Sequence, residues 1–230
     1  MGANMEPVSH ELHWRAMDIC DRQLPEDYIC RGKNIRFVMN CSMQYMFLSR
    51  FFPQFVLGEG DDAQVWLAYA GKRVVAGKPA YCARVGSMIR RRGLLANLSI
   101  RENLLLPFLY AEDTSCLKRA EREVGDVAEF LGLGALLYEQ AGERSAYTHA
   151  LVSLGHCLLK RPDVIVAQEV HMGMPPERLQ IFRAKAKEAM QQLESGVLYL
   201  TSSMHEGSGL NFSRTYEIEC DNVPDVSGIW

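Results

Sequence analysis

Apolar and polar residues are arranged along this chain in patterns that predict an α/β protein. Short apolar runs at 35–39, 164–167 and 197–201 are bounded by polar or turn-forming residues, as buried strands are. The first run is followed by apolar residues at a spacing of three and four up to Pro53, which predicts a helix. A strand that leads directly into a helix is half of a β-α-β unit. Further strands and a long helix are predicted at 65–69, 73–76, 83–89, 216–220 and 175–193.

The middle of the chain has a helical pattern. Ser99 and Glu102 have the spacing of a capping box, in which each side chain accepts a hydrogen bond from the backbone N–H of the other residue. An apolar stripe at helical spacing follows over 115–131, and another helix is predicted over 145–160. These helices interrupt the alternation of strands and helices that is found at both ends of the chain.

The chain is therefore predicted to be an α/β core with a helical insertion. The core is assigned to residues 16–92 and 162–230, and the helical subdomain to residues 93–161. Residues 1–15 are polar and are predicted to form a flexible N-terminus. No internal repeat and no linker divides the chain further.

Composition and charge narrow the classes of function. Hydrophobic residues make up 48% of the 230 residues, so the chain has enough apolar surface for a packed core. A net charge of −3 argues against a broad nucleic-acid-binding face. The most apolar stretch, 45–57, is interrupted by Arg50 and Pro53 and is too short to span a bilayer.

The cysteines and the N-terminus indicate a cellular location. The seven cysteines include no C-x-x-C pair, which argues against a zinc site and against a disulfide framework. The histidines show no metal-ligand spacing. The first residues lack the basic and then apolar pattern of a secretory signal. A reducing, cytoplasmic location is therefore expected.

A series of segments carries a resemblance to a known family. Residues 87–107 contain a leucine-rich turn followed by Ser-Ile-Arg-Glu-Asn, and residues 130–133 read FLGL. The interval 145–163 ends in Arg-Pro-Asp, VIVAQEV follows at 164–170, and VLYLTSS lies at 197–203. The series resembles the nucleotide-binding domain of ABC transporters.

The resemblance covers roughly residues 30–206 and implies a P-loop-NTPase-like ABC ATPase fold. Such a fold has a central mixed sheet with flanking helices and a helical subdomain inserted in the middle. Members of the family bind ATP and magnesium in sites that two paired domains share, one giving the phosphate loop and the other the signature loop. Within the family, residues 86–107 resemble the ATPases of MCE/Mla-type lipid-transport systems.

The segment at the position of the phosphate loop departs from the family pattern. That loop needs glycines, so that backbone N–H groups can close on the phosphates, and a lysine that neutralises charge. Residues 40–45 read Asn-Cys-Ser-Met-Gln-Tyr and contain neither. Lys33 lies upstream of the strand and cannot replace the missing lysine. A tight turn from strand to helix is predicted here, with Ser42 as a remnant of the magnesium-binding hydroxyl.

The other positions that the family uses for catalysis are also altered. Gln168 stands where the family has a magnesium-binding aspartate, and a neutral amide is a poorer Mg²⁺ ligand than a carboxylate. The resemblance places Glu169 at the position of the catalytic base, Arg91 at that of the Q-loop glutamine and Ser202 at that of the switch histidine. Ser145 remains from the signature loop. We therefore expect no bound nucleotide and no metal.

The best-preserved segment corresponds to the surface on which the family docks its membrane subunit. In the family, a groove beside the Q-loop receives a short cytoplasmic helix of the permease. Arg91, Leu94, Leu95 and Leu98 correspond to this groove, and leucines suit an amphipathic helix. The alternative that these leucines belong to the hydrophobic core stays open.

The sequence thus predicts a catalytically degenerate ABC ATPase-like subunit that docks on the permease of a lipid or solute transporter without hydrolysing ATP. It would lie peripherally on the inner face of the membrane, paired with an intact ABC ATPase or with a second copy of itself. Two alternatives stay open. One is a divergent but active ATPase that binds Mg-ATP, and the other is a stand-alone cytoplasmic interaction module derived from an ABC domain.

Overall fold

In the part of the chain that it describes, the computed structural model has a five-stranded central sheet, a separate four-stranded sheet and a two-stranded sheet. The residues that it describes are 10–19, 22–52, 64–90, 94–109, 114–142, 144–207 and 209–219. The strands are β1 (Glu11–Trp14), β2 (Met17–Ile19), β3 (Arg22–Leu24), β4 (Asp27–Cys30), β5 (Asn34–Val38), β6 (Val65–Tyr69), β7 (Lys72–Val75), β8 (Val85–Ile89), β9 (Val164–Gln168), β10 (Gly196–Thr201) and β11 (Arg214–Glu217). The helices are α1 (Cys41–Phe51), α2 (Pro79–Arg84), α3 (Ile100–Leu109), α4 (Thr114–Leu131), α5 (Ala146–Lys160) and α6 (Pro176–Leu193).

The strands of the central sheet are parallel throughout, in the order β11-β5-β10-β9-β8. The four-stranded sheet, in the order β4-β1-β6-β7, is antiparallel. The predicted α/β fold is confirmed, with all parallel pairings in the central sheet and the antiparallel pairings in the other two sheets. Because the central strands run in one direction, their carboxyl ends lie at a common edge, where α/β proteins place their sites.

Both faces of the central sheet are buried. Val164 and Val166 face the core that includes α1 and the four-stranded sheet. Ile165 and Ala167 face a second core, which includes α5 and α6. All five residues of β9 are buried, which explains why its sequence is a continuous apolar run rather than an alternating one.

Helices α3, α4 and α5 form the helical insertion. The capping box is present, since Ser99 N donates to Glu102 Oε2 at 2.7 Å and Glu102 N donates to Ser99 Oγ at 3.2 Å. Helix α3 continues for two residues beyond Pro107. Helices α3 and α5 approach closely at Gly155, where an added Cβ would lie 2.5 Å from Leu104 Cδ2.

The prediction of a flexible N-terminus through residue 15 is wrong for residues 11–14. They form strand β1, which lies between β4 and β6 in the four-stranded sheet. Leu12 and Trp14 are buried and alternate with Glu11 and His13, so one face of the strand packs on the core. Two apolar residues among polar neighbours are too weak a pattern to predict a strand by themselves. Residues 1–9 lie outside the described residues.

The buried carboxylate of Asp163 joins the N-terminal part of the chain to the central sheet. Its Oδ1 accepts from Arg31 Nε at 2.7 Å, and its Oδ2 lies 2.9 Å from both Arg84 Nη1 and His10 Nδ1. Burial alone would raise the pKa of Asp163, but the hydrogen bonds from Arg84, Arg31 and His10 outweigh that effect and hold the pKa below its usual range. The network therefore stabilises the fold while the carboxylate is ionised.

We expect Asp163→Asn to lower the free energy of unfolding at neutral pH by about 1–3 kcal/mol, because charged partners lose a buried acceptor. The pKa of Asp163 lies lower in the folded chain than its ordinary value of 3.8. The contribution of the carboxylate is thus present above that value and is lost as the pH falls through the folded pKa. Urea unfolding of the wild type and the variant at a series of pH values should therefore show a difference that shrinks below about pH 4.

The matched control is Asp126→Asn, which changes an exposed carboxylate on α4. It should alter the free energy of unfolding by less than about 0.5 kcal/mol. A difference between wild type and Asp163→Asn that is constant over the whole pH range would contradict the assigned role of this carboxylate.

Candidate functional site at the carboxyl edge of the central sheet

The carboxyl ends of β5, β9 and β10 bring three of the sequence-predicted positions together. Gln168 is the last residue of β9, Glu169 follows it, and Ser202 follows β10. Backbone bonds continue the pairing past the strands, since Met39 N donates to Thr201 O at 2.9 Å and Glu169 N donates to Leu200 O at 3.1 Å. Helix α1 begins at the same edge, so Ser42 lies in its first turn.

The connection from β5 to α1 consists of two residues, Met39 and Asn40. Asn40 caps the helix: its backbone is extended, and its Oδ1 accepts from Met43 N at 3.0 Å. Asparagine is among the best N-cap residues because its side chain satisfies an N–H that the helix leaves free. The chain thus passes from strand to helix in a tight turn, as the sequence predicts, and a side chain of the protein bonds the helix N-terminus.

Gln44 occupies the interior behind this turn. Its side chain is fully buried, and its Nε2 donates to Met39 O at 2.8 Å and to Glu169 Oε1 at 3.0 Å. Sequence reasoning missed Gln44 as a site residue. The signal was available, because position 44 falls on the buried face of α1 with Met43, Phe47 and Phe51, where a polar amide needs a partner.

Glu169 is almost completely buried and stands in the left-handed backbone region, with φ +43°. Its Oε1 accepts from Gln44 Nε2 and, at 2.6 Å, from the backbone N–H of Ser202. Its Oε2 has no hydrogen-bond partner among the described residues, and the same is true of the buried Oε1 atoms of Gln44 and Gln168. The carboxylate is therefore engaged in holding α1 and β10 to the end of β9.

The remaining predicted positions have structural contacts. Ser42 is half-buried, whereas Ser202 is exposed and uses its backbone N–H toward Glu169. Ser145 is the N-cap of α5, where its Oγ accepts from Thr148 N at 3.4 Å. Arg178 lies over the ring of Tyr147, at 5.2 Å from the centroid. The signature-loop position thus begins a helix, and a bulky aromatic ring follows it.

A row of polar side chains lies beside this edge, and no sequence pattern predicts it. Tyr199 Oη lies 2.8 Å from His171 Nδ1, and His171 Nε2 lies 2.7 Å from Glu206 Oε1. Glu206 also accepts from the hydroxyl of Thr201. Burial, followed by the negative charges of Glu206 and Glu169, raises the pKa of Tyr199 far above its usual value, so its hydroxyl is neutral. These residues come from distant parts of the sequence and share no motif.

The predicted docking residues differ in exposure. Leu94 and Leu98 are half-buried, and Leu94 packs against the core of the helical insertion, as the core alternative expects. Leu95 is 48% exposed. Buried Asn103 fixes this loop, since it accepts from Leu95 N at 2.6 Å and donates to Leu95 O, Leu98 O and Ser99 O. Arg91 lies outside the described residues.

In the part of the chain that the structure describes, no group of three or more His, Cys, Asp and Glu side chains is placed to hold a metal ion. None of its helices combines the length and the apolar character needed to cross a membrane.

No protein-family model matches the chain, but curated proteins match it in part. The methionine import ATP-binding protein MetN 2 of Paraburkholderia xenovorans is 26% identical over 121 residues, which are 53% of this chain and 31% of that protein. The lipoprotein-releasing system ATP-binding protein LolD of Rickettsia felis is 27% identical over 123 residues, which are 53% of this chain and 54% of that protein. The chain therefore matches about half or less of the length of these relatives.

Solved structures of ABC ATPase domains have a similar fold. One is the structure of an ATP-binding cassette of an ABC transporter in its ADP conformation. The alignment covers 86% of this chain and 83% of the chain of that cassette, with a TM-score of 0.60 and 16% sequence identity. CbiO1 from Clostridium perfringens, part of the ABC transporter complex cbiONQ, aligns over 86% and 80%, with a TM-score of 0.62 and 12% identity. The resemblance drawn from the sequence is thereby confirmed: the chain has the fold of the nucleotide-binding domain of ABC transporters.

Proposed function

We propose that this chain is a subunit of an ABC-type transporter that keeps the fold of a nucleotide-binding domain but does not hydrolyse ATP. The observation that carries the proposal is the closed turn between β5 and α1. Asn40 caps the helix there, and Gln44 fills the interior as far as the carboxylate of Glu169. In an ATPase of this fold, the same place holds a glycine-rich loop that wraps around phosphates.

The residues at this edge do not fit Mg-ATP. The two-residue connection leaves no loop whose backbone N–H groups could surround a pyrophosphate, and the Asn40 side chain already accepts from the helix N-terminus. Helix α1 has no basic residue before Arg50, in its last turn, to neutralise phosphate charge. A neutral amide, Gln168, replaces the carboxylate that would hold magnesium.

Pairing with another ABC domain would not restore a site from this chain's residues. Sites in the family combine one domain's phosphate loop with the partner's signature loop, and this chain departs from both patterns. Ser145, the remaining signature residue, caps α5, and Tyr147 adds a large ring beside it. The energy for transport would then come from an intact ABC ATPase partner, or the assembly would work without ATP.

The role that we propose for this fold is docking on an integral membrane permease. The loop that corresponds to the family's docking groove is held in place by the buried Asn103 and presents Leu95 to solvent. An exposed leucine on a fixed loop suits the apolar face of a short helix. We place the chain peripherally on the inner face of the membrane, serving a lipid or solute transporter. The likeness to MCE/Mla-type systems supports a lipid.

Titration calorimetry with Mg-ATP is expected to show no saturable binding to this chain, because the phosphate-binding groups are missing. An intact ABC ATP-binding subunit under the same conditions is the positive control. Micromolar binding that Glu169→Gln or Ser42→Ala abolishes would overturn the proposal in favour of a divergent, active ATPase.

The contact between Gln44 and Glu169 should measurably stabilise the fold. Gln44→Leu is expected to lower the free energy of unfolding by about 1–3 kcal/mol, because it leaves a buried carboxylate with one donor fewer. Glu169→Gln keeps an acceptor for Gln44 and Ser202 and should change stability by less than about 1 kcal/mol. Urea unfolding measures both, and Gln180→Leu, on the exposed face of α6, is the control. Equal stability of Gln44→Leu and the wild type would contradict the structural role given to this pair.

Association with a permease should depend on Leu95. When the chain is purified from detergent-solubilised native membranes, we expect an integral membrane transporter subunit to accompany it. Leu95→Asp should reduce that recovery roughly tenfold or more, because losing a central apolar anchor costs about 2 kcal/mol or more. Ile181→Asp changes a side chain of similar exposure, 43% against 48%, on α6 and should leave recovery unchanged.

Two outcomes would contradict the docking proposal. If the chain elutes from detergent extracts without a membrane partner, the stand-alone interaction module becomes the better explanation. If both aspartate variants lose the permease to the same extent, the contact does not lie at the loop that Asn103 fixes.

A further inference from the structure

A cavity of about 280 Å³ lies between α6 and the face of the central sheet formed by β8, β9 and β10. Its walls are almost entirely apolar and include Met88, Ala167, Phe182, Met190 and Leu210. An engineered cavity of about 150 Å³ with such walls stays dry and binds benzene. This cavity is nearly twice as large, so it has room for a chain of about eight to twelve carbons.

Several of the residues that line the cavity are small. Helix α6 contributes Ala184 and Ala186, and β9 contributes Ala167. The loop after β10 contributes Gly207, where an added Cβ would lie 2.7 Å from the ring of Phe212 and would displace that ring. Apolar walls around an unfilled space lose dispersion contacts, which an apolar ligand would restore.

Two cations of α6 line the same cavity. Arg183 and Lys187 are one helical turn apart, so their side chains lie on one face of the helix. Among the described residues, neither takes part in an ion pair or a hydrogen bond. The pair therefore presents positive charge at the border of an apolar space, and a single anionic group would complement it.

The other polar side chains of the lining, Tyr199 and His171, lie close to polar groups of the protein itself. Tyr199 Oη and His171 Nδ1 lie 2.8 Å apart, and the second ring nitrogen of His171 lies 2.7 Å from Glu206 Oε1. A ligand headgroup thus meets its free partners on α6, at Arg183 and Lys187, and not on the sheet.

We propose that this cavity binds a single-chain amphiphile with a carboxylate headgroup, a medium-chain fatty acid. The carboxylate pairs with Arg183 and Lys187, and the alkyl chain lies against Met88, Phe182 and Met190. The site faces the opposite side of the sheet from α1 and is independent of whether the chain is a transporter subunit or binds nucleotide.

Titration calorimetry of the full chain with a series of saturated carboxylates from butyrate to dodecanoate tests the proposal. We expect one binding site, with an affinity that rises roughly fourfold for each added CH₂ group. The rise should stop at about eight to twelve carbons, where the cavity is full. Arg183→Gln and Lys187→Gln should each lower the affinity for decanoate by about two- to fivefold, as expected for the loss of an exposed ion pair.

Matched measurements separate the apolar and the charged contributions. Ala186→Leu should fill the cavity and abolish decanoate binding while α6 keeps its helical circular dichroism, because leucine is a good helix former. Decanol, which has the same chain without the charge, should bind the wild type and both glutamine variants equally. Lys118→Gln, an exposed charge on α4, should leave decanoate binding unchanged.

Absence of saturable decanoate binding would overturn the proposal, and so would an Ala186→Leu variant that binds decanoate as the wild type does. Phosphatidylglycerol vesicles distinguish a bilayer from a free fatty acid. If vesicles bind through Arg183 and Lys187 and decanoate does not compete, these cations contact a membrane surface and the proposed cavity site is wrong.

Discussion

The hydrogen bond between the buried Gln44 amide and the Glu169 carboxylate joins the elements that meet at the carboxyl edge of the central sheet. Gln44 belongs to α1 and Glu169 follows β9, and the same carboxylate oxygen accepts from Ser202 after β10. An unpaired carboxylate in this buried position would be costly, so these elements are held in one arrangement.

The tight turn before α1 follows from this contact. A glutamine at position 44 reaches Glu169 when α1 starts close to the end of β5, and the Asn40 cap places the start at Cys41. The short connection from β5 to α1 and the buried Gln44 are therefore parts of the same packing arrangement.

Buried carboxylates also position the N-terminal strands against the central sheet. Asp163 bonds to residues before β1, after β4 and at the end of α2. Asp27, at the start of β4, accepts from Arg214 and Tyr216 of β11. Burial alone would raise the pKa of Asp27, but its hydrogen bonds from Tyr28 and Tyr216, with the charges of Lys33 and Arg214, hold it below the usual range. Two charge networks thus supplement the apolar contacts between the sheets.

The sequence predicted those parts of the fold whose stabilisation is local or periodic. Strand β9 is an uninterrupted apolar run because both of its faces are buried, and the capping box at Ser99 involves neighbours in the chain. The strands from β1 to β4 were not predicted, because they are three or four residues long and are stabilised by pairing with distant segments.

In the candidate site, too, the local features could be predicted from the sequence and the long-range contacts could not. The turn at Asn40 could be predicted, since it follows from residue types in sequence. The partner of Gln44 lies 125 residues away, and the chain of Tyr199, His171 and Glu206 has no sequence spacing that marks it. Such contacts depend on the register of β5, β9 and β10, which places the carboxyl ends of these strands side by side, and the sequence does not give that register.

The two faces of the central sheet are packed in different ways. On the side of α1, aromatic rings fill the core, with Phe37, Phe47 and Trp14 in mutual contact. On the side of α6, an unfilled space lined by Ala167, Ala184 and Ala186 lies between the helix and the sheet. Selection for stability alone would favour filling that space, because each missing contact costs free energy. The chain thus combines a tight two-residue turn before α1 with an open cavity beneath α6, on the other face of the sheet, which Arg183 and Lys187 border.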